Sequence, residues 1–204
     1  MKIIMRSFAL ASVLLFNQAC VEDDDLIKVQ NHDDNEMMAI MHDMMANMMA
    51  MEMTNDPDNN FAMMMRIHHQ GAIDMSKKVL QNGDDDQMKE MAEMIISAQL
   101  AEIQQLSNFL STHAAHGDVP QFKMESMVGM ERSAKNADLQ IINGDSDHDF
   151  AMLMIGHHQS AIDNSRLELI YGHEPAMKTL AKEIIAAQEK EIKELQEWLL
   201  SDGK

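Results

Sequence analysis

Cysteine is almost missing: one residue, Cys20, in a chain of 204. A mature protein cut at or before that residue offers no free thiol, so any soft metal ligand it carries must be methionine. Basic residues are also scarce, 16 Lys and Arg against 34 Asp and Glu, and the formal net charge of −18 argues against nucleic acid or anionic lipid as a partner while favouring cations. There is no Gly-rich phosphate loop, no nucleophile elbow and no His-Glu-x-x-His zinc motif, so hydrolase and transferase readings have nothing to stand on. No segment alternates apolar and polar residues as a half-buried strand does. The most apolar run, Phe8 to Phe16, is shorter than the roughly 20 residues a spanning helix needs.

That run follows Lys2 and Arg6 and precedes the small and polar residues that lead to Cys20, the layout of a secretory signal peptide over 1–19. Cys20, just after Ala19, reads as a lipoprotein cleavage site whose thiol takes the lipid. Asn17 departs from the leucine usual three places earlier, and simple secretion is the alternative. The acidic stretch 20–33 reads as a solvated tether, and it resembles the run that directs some bacterial lipoproteins to the cell surface. The expected location is extracytoplasmic, periplasmic or at the surface, with the membrane touched through a lipid anchor alone.

What the chain has in abundance is methionine, 24 residues, and a two-histidine motif written twice: Met65-x-x-His68-His69-Gln-x-Ala-Ile-Asp74 and Met154-x-x-His157-His158-Gln-x-Ala-Ile-Asp163. A thioether and an imidazole three or four residues apart on a helix can point at one spot, which outlines a soft metal site with copper as the first candidate. A shift of 89 residues aligns Phe61 through Leu110 with Phe150 through Leu199 without a gap, close to half the positions being identical. The same shift places Met38 and Met41 on Met127 and Met130, and Asp56 on Asp145. The chain is therefore an internal duplication, one helical domain over 34–204 built from repeats 34–112 and 123–201.

Within a repeat, Asp58 and Asp147 stand where a helix N-cap is expected, and Gly83 and Gly172 follow about 25 residues later as stops. Asp84 to Asp86, and Glu174 with Pro175, open the next helix. Long helices joined by short turns pack as antiparallel neighbours, so the fold expected is all-α, a four-helix bundle of two hairpins. Methionine-bearing helices near 36–54 and 122–143 would pack against its outside or end.

The paired Asp-x-x-Phe-x-x-x-Met-x-x-His-His-x-x-Ala-Ile blocks, with Ala-Gln-x-x-Glu-Ile at 98–103 and 187–192, resemble the domain of unknown function 305 family, placed among ferritin-like four-helix bundles. The resemblance covers residues 56–200. It implies an extracytoplasmic protein, in some members a copper binder that supports metal tolerance.

On a helical wheel Phe61, Met65, His69, Ala72, Ser76 and Val79 form one stripe with His68 at its margin, which turns Met65 inward between the histidines. Di-iron bundles carry Glu-x-x-His there, and the replacement of carboxylate by thioether shifts preference from iron toward Cu(I), or Ag(I) as its mimic. The candidate ligands are therefore Met65, His68, His69, Met154, His157 and His158. Gln99, Glu102, Gln188 and Glu191 on the partner helices are placed to orient the imidazoles. Asp74, Asp163, Gln70 and Gln159 lie opposite and are expected to pair with the outer helices.

Met37 to Met53 holds nine methionines and His42. Met38, Met41, His42, Met45 and Met49 form ladders at helical spacing, richer in methionine than packing requires, because Leu or Ile has better-defined rotamers. His113 and His116 suit a peripheral Cu(II) or Zn(II) site, or simply a solvated helix end. The functional expectation is a copper-binding protein that sequesters Cu(I) or exchanges it with a donor or acceptor protein, and not an enzyme. The alternatives are a ferritin-like or cuprous oxidase using the same histidines, and a Met-rich bundle that grips hydrophobic peptides.

Overall fold

The computed structural model describes residues 28–202, so the segment read as a signal peptide and Cys20 lie outside the described residues. After a 3-10 turn at His32–Asp34 come α1 (Glu36–Ala50), α2 (Pro57–Asn82), α3 (Asp86–Thr112), α4 (Pro120–Asp138), α5 (Ser146–Tyr171) and α6 (Pro175–Asp202). No strand occurs among the described residues. None of the described helices is long and apolar enough to cross a membrane. Helices α2 and α3 make one antiparallel hairpin, α5 and α6 the other, and α2 packs on α5. Helices α1 and α4 lie across the α2/α5 pair and touch each other, giving the expected ferritin-like bundle with one added helix per repeat.

The helix starts differ from the sequence reading. Asp56 and Asp145, not Asp58 and Asp147, are the N-caps: Asp56 Oδ1 accepts from Asn59 N at 3.1 Å, and Asp145 Oδ1 from His148 N at 2.9 Å. Pro57, whose fixed φ suits the first helical turn, starts α2 a full turn before its apolar stripe. Asp58 and Asp147 instead reach across to the opposite hairpin. Asp58 accepts from His173 N at 2.9 Å and Glu174 N at 2.8 Å, while Asp147 accepts from Asp84 N at 2.7 Å and Asp85 N at 3.1 Å. Each repeat thus supplies the carboxylate that satisfies the other repeat's turn, which makes α2 and α5 antiparallel and relates the repeats by a pseudo-two-fold axis. Gly83 ends α2 at φ −70°, so a left-handed cap is not its reason. A Cβ there would collide with the Asp147 carboxylate.

The outer segments are shorter than their composition suggests. Helix α1 stops at Ala50 and α4 at Asp138. Thr54 N then bonds Asn60 Oδ1 at 2.8 Å, which turns the chain into α2. The chain just before α1 is tied to the start of α5: Gln30 N bonds Ile142 O at 2.8 Å, and Asn35 Nδ2 bonds Asp149 Oδ2 at 2.7 Å. His32 Nε2 meets Gln140 O at 2.8 Å, so this segment satisfies carbonyl groups that the α4–α5 connection leaves without a helical partner.

Two apolar clusters fill the bundle. One holds Phe61, Met65, Leu106, Phe122, Met177 and Ile184, toward the N-terminal end of α2. The other holds Met75, Val79, Met88, Ile95, Phe150, Met154 and Leu195, with Met37, Met38, Met41, Met44 and Met48 from α1. Each large side chain removed from water contributes about 1.5–3 kcal/mol. Between the clusters lies a layer of buried polar groups, among them four histidines and two glutamines.

Candidate metal centre

Neighbouring residues on a helix point about 100° apart, so the two histidines of one motif meet different partners. The rings of His68 and His69 are 6.3 Å apart at 65°, and those of His157 and His158 are 5.8 Å apart at the same angle. The first histidine of each motif faces the pseudo-two-fold axis, where His68 and His157 overlap with centroids 3.6 Å apart and planes tilted by 35°. The second turns to its hairpin partner: His69 Nε2 lies 2.7 Å from Glu102 Oε2, and His158 Nε2 2.9 Å from Glu191 Oε2. Both contacts are close but lie off the ring N–H axis, so neither is a well-formed hydrogen bond. Gln99 and Gln188 are buried in the same layer, with Gln99 Nε2 and Oε1 and Gln188 Oε1 unpaired.

All four imidazoles are 0 % exposed. Desolvation first, then repulsion from neighbouring imidazoles, pushes the pKa of His68 and His157 well below the usual 6.5, so both rings are neutral at pH 7. His157 Nε2 lies 3.0 Å from the carbonyl oxygen of His68. A carbonyl only accepts, so Nε2 carries the ring proton and Nδ1 of His157 is a bare lone pair. The Nδ1 atoms of His68, His69, His157 and His158 all lack a hydrogen-bond partner. A buried nitrogen left unpaired costs about 1–3 kcal/mol, which a bound metal would recover. His68 Nε2 meets Ser160 Oγ at 2.7 Å.

Met65 and Met154 are fully buried, in separate apolar clusters. The four histidines do not converge as a three-donor set of imidazole or carboxylate groups. The one such set among the described residues, with donor atoms within 4.8 Å of one another, is Asp56, His113 and His116. An ion in the central layer would therefore draw on two imidazoles, or on imidazole and thioether, a soft and low-coordinate donor set that suits Cu(I) better than Zn(II).

Helix α1 splits the predicted ladders. Met38 is buried in the core, while Met41, His42, Met45 and Met49 line one cleft of about 180 Å³ against Ala134 and Ala137 of α4. His42 Nε2 contacts Asp138 Oδ1 at 2.9 Å on its exposed side. On the far side of α1, a cleft of about 690 Å³ is lined by Met44, Met51, Met63, Arg66, Gly71 and Asp74. Its pseudo-symmetric counterpart, about 510 Å³ between α4 and α5, is lined by Met124, Arg132, Ser160 and Asp163. Gly71 and Ser160 are aligned positions of the two repeats, and Ser160, which lines this second cleft, touches His68 directly, so one side chain separates the cleft from the histidine layer. The sequence reading missed Met44 and Ser160. The 89-residue shift, which puts a hydroxyl opposite a glycine beside the histidines, was the available signal for Ser160.

Asp163 pairs with Arg132 of α4 at 2.6 Å, as expected for an outer-helix partner, whereas Asp74 pairs within its own helix with Lys77 at 3.1 Å.

A family model described as Domain of unknown function (DUF305) matches residues 17–110 and 58–199. Among solved structures, the chain is similar to CopM in its Ag-bound form, at 26% identity and TM-score 0.55 over 71% of this chain and 96% of that one. It is likewise similar to CopM in the Cu(I)-bound form, at 26% identity and TM-score 0.54 over 73% and 97% of the two chains. A DUF305 protein from Streptomyces coelicolor shares the fold at 21% identity and TM-score 0.59, over 73% and 95%. Comparison with proteins of curated function gives no match.

Proposed function

Because the chain belongs to the DUF305 family, we propose that it is an extracytoplasmic copper-binding protein that sequesters Cu(I) or hands it on without turning it over. The observation that carries this reading is the unpaired Nδ1 lone pair of His157, held neutral and dry against the ring of His68. A neutral imidazole is ready to ligate without first losing a proton. The clefts on either side of α1 offer further thioether donors, and Ag(I) is expected to mimic the cargo. The CopM structures with Ag and Cu(I) support copper as the cargo. The signal-like segment 1–19 and Cys20 support export and a lipid anchor, where a periplasmic or surface protein would exchange copper with a donor or acceptor.

The experiment is an anaerobic titration of metal-free protein with Cu(I) against a chelating competitor, followed by admission of oxygen. The expected result is competition for Cu(I), no comparable competition for Fe(II), and oxygen uptake limited to a stoichiometric burst. Sustained uptake over many equivalents of Cu(I) would replace the carrier by an oxidase. Failure to compete would remove the copper reading altogether.

A further inference from the structure

We propose that Asp56, His113 and His116 form a second metal site, at the end of the bundle, that takes a borderline divalent cation such as Zn(II) or Cu(II). It goes beyond the Cu(I) reading and does not depend on it. Asp56 is fixed by capping α2 through Oδ1, and its Oδ2 receives the backbone N–H of His116 at 2.8 Å. His113 ends α3, and its ring stacks on Phe109 with centroids 4.4 Å apart at 21°. Three elements, the start of α2, the end of α3 and the α3–α4 linker, therefore deliver one donor each to a common point.

The nitrogens sort into two sides. Toward Asp56 Oδ2 point His113 Nε2 at 3.0 Å and His116 Nδ1 at 3.9 Å. The other nitrogens, His113 Nδ1 and His116 Nε2, lie 3.8 and 3.9 Å from Glu174 Oε1. Ligands on a tetrahedral ion with bonds of about 2 Å stand roughly 3.3 Å apart, so the Asp56 side has the spacing of a ligand set with little adjustment. At these distances Glu174 makes no hydrogen bond to either ring, but a turn of its carboxylate would let it accept from a remaining ring N–H, the usual support for metal-bound histidine. His116 is 63 % exposed, so the site opens to solvent with room for water as a fourth ligand. Two nitrogens and a carboxylate, with no sulfur, favour Zn(II) or Cu(II) over Cu(I). The duplication does not reproduce the site, because Asp202 aligns with His113.

The test uses the metal-free full chain, titrated with Zn(II) and with Co(II), whose visible spectrum reports tetrahedral binding. The variants are His116→Ala, at an exposed position, and Asp56→Asn, which keeps an oxygen for the α2 cap. Both should lose one equivalent of Zn(II) and the tetrahedral Co(II) bands, while Cu(I) equivalents stay as in the parent. Glu174→Gln should weaken Zn(II) about tenfold without changing stoichiometry. Equal Zn(II) binding by parent and variants, or a Co(II) spectrum no stronger than that of the hydrated ion, overturns the proposal. Joint loss of Zn(II) and Cu(I) in His116→Ala also overturns it, because the two sites would then be one.

Discussion

His157 donates from Nε2 to the carbonyl oxygen of His68 at 3.0 Å, while the ring of His68 lies over it at 3.6 Å between centroids. One contact between repeats therefore sets the tautomer of the ring and leaves its Nδ1 as a lone pair in the driest part of the bundle. The duplication makes this contact: it brings two copies of one motif face to face on antiparallel helices.

His157→Gln separates the two roles of that ring. Glutamine keeps an N–H for the His68 carbonyl and removes the imidazole lone pair. The variant should retain its helical circular dichroism, yet bind Cu(I) at least about tenfold more weakly, the lower end of what disturbing a metal shell costs. Cu(I) affinity equal to the parent's in a chelator competition would take His157 out of the site.

Acid should act on the central pair in a defined direction. The native pKa values of His68 and His157 lie well below 6.5, so below about pH 6.5 the unfolded chain binds protons that the native protein does not. Stability of the metal-free protein is therefore fully present above that pH and falls as the medium is acidified. Cu(I) on imidazole should be released at a lower pH than from free imidazole, and Cu(I) on thioethers should persist further still. Thermal melts and metal retention between pH 7 and 4 measure both effects. Glu168, whose raised pKa acts in the opposite direction, is replaced by Gln for these melts, and a melting temperature of that variant independent of pH would contradict the burial of neutral rings.

The fold was legible because duplication and punctuation are local signals: Gly83 and Gly172 do end helices, and Pro175 does open one. The caps lie two residues before the positions the sequence suggests, because Asp58 and Asp147 satisfy two conditions at once. They sit in the first turn of a helix, and their partners are the amides of a turn more than a hundred or sixty residues away, which no window of sequence reveals. Burial of the paired histidines was legible from the stripe, but the stacking of His68 on His157 was not, since it depends on how α2 crosses α5. Asp56 escaped notice as a partner of His113 and His116 for the same reason: 57 residues separate it from His113.

Glu168 breaks the symmetry of the repeats and should weaken the protein as pH rises. It is fully buried where the first repeat has Val79. Burial, together with Asp58 beside it, pushes its pKa up to about 10. The unfolded chain releases this proton near pH 4.5 and the native protein near 10, so stability is lost progressively between those values. Glu168→Gln removes the ionisation and should raise Tm at pH 8 by at least about 2–4 °C, the shift that 1 kcal/mol gives in a domain of this size, with little gain at pH 5. An equal shift at both pH values would mean that the charge is not the cause.

The methionines of α1 can be divided by what they touch. Met38 is fully buried, so it stays, whereas Met41, also a core residue, shares a cleft with His42, Met45 and Met49, and the three methionines can be changed together to Leu. Leucine is close in volume, and a swap of this kind costs less than about 1.5 kcal/mol at each buried position. Met49 is 51 % exposed and should contribute almost nothing to that cost. Packing is thus nearly preserved while three thioethers are lost, so any fall in the number of Cu(I) equivalents retained reports ligation. The expected outcome is a near-unchanged melting temperature and fewer equivalents held against a competing chelator, most visibly at low pH where the imidazoles have already let go. If the triple variant keeps every equivalent, these side chains are adaptable packing, and the copper is held elsewhere, by the histidine layer or by the cleft that Met44, Met51 and Met63 line.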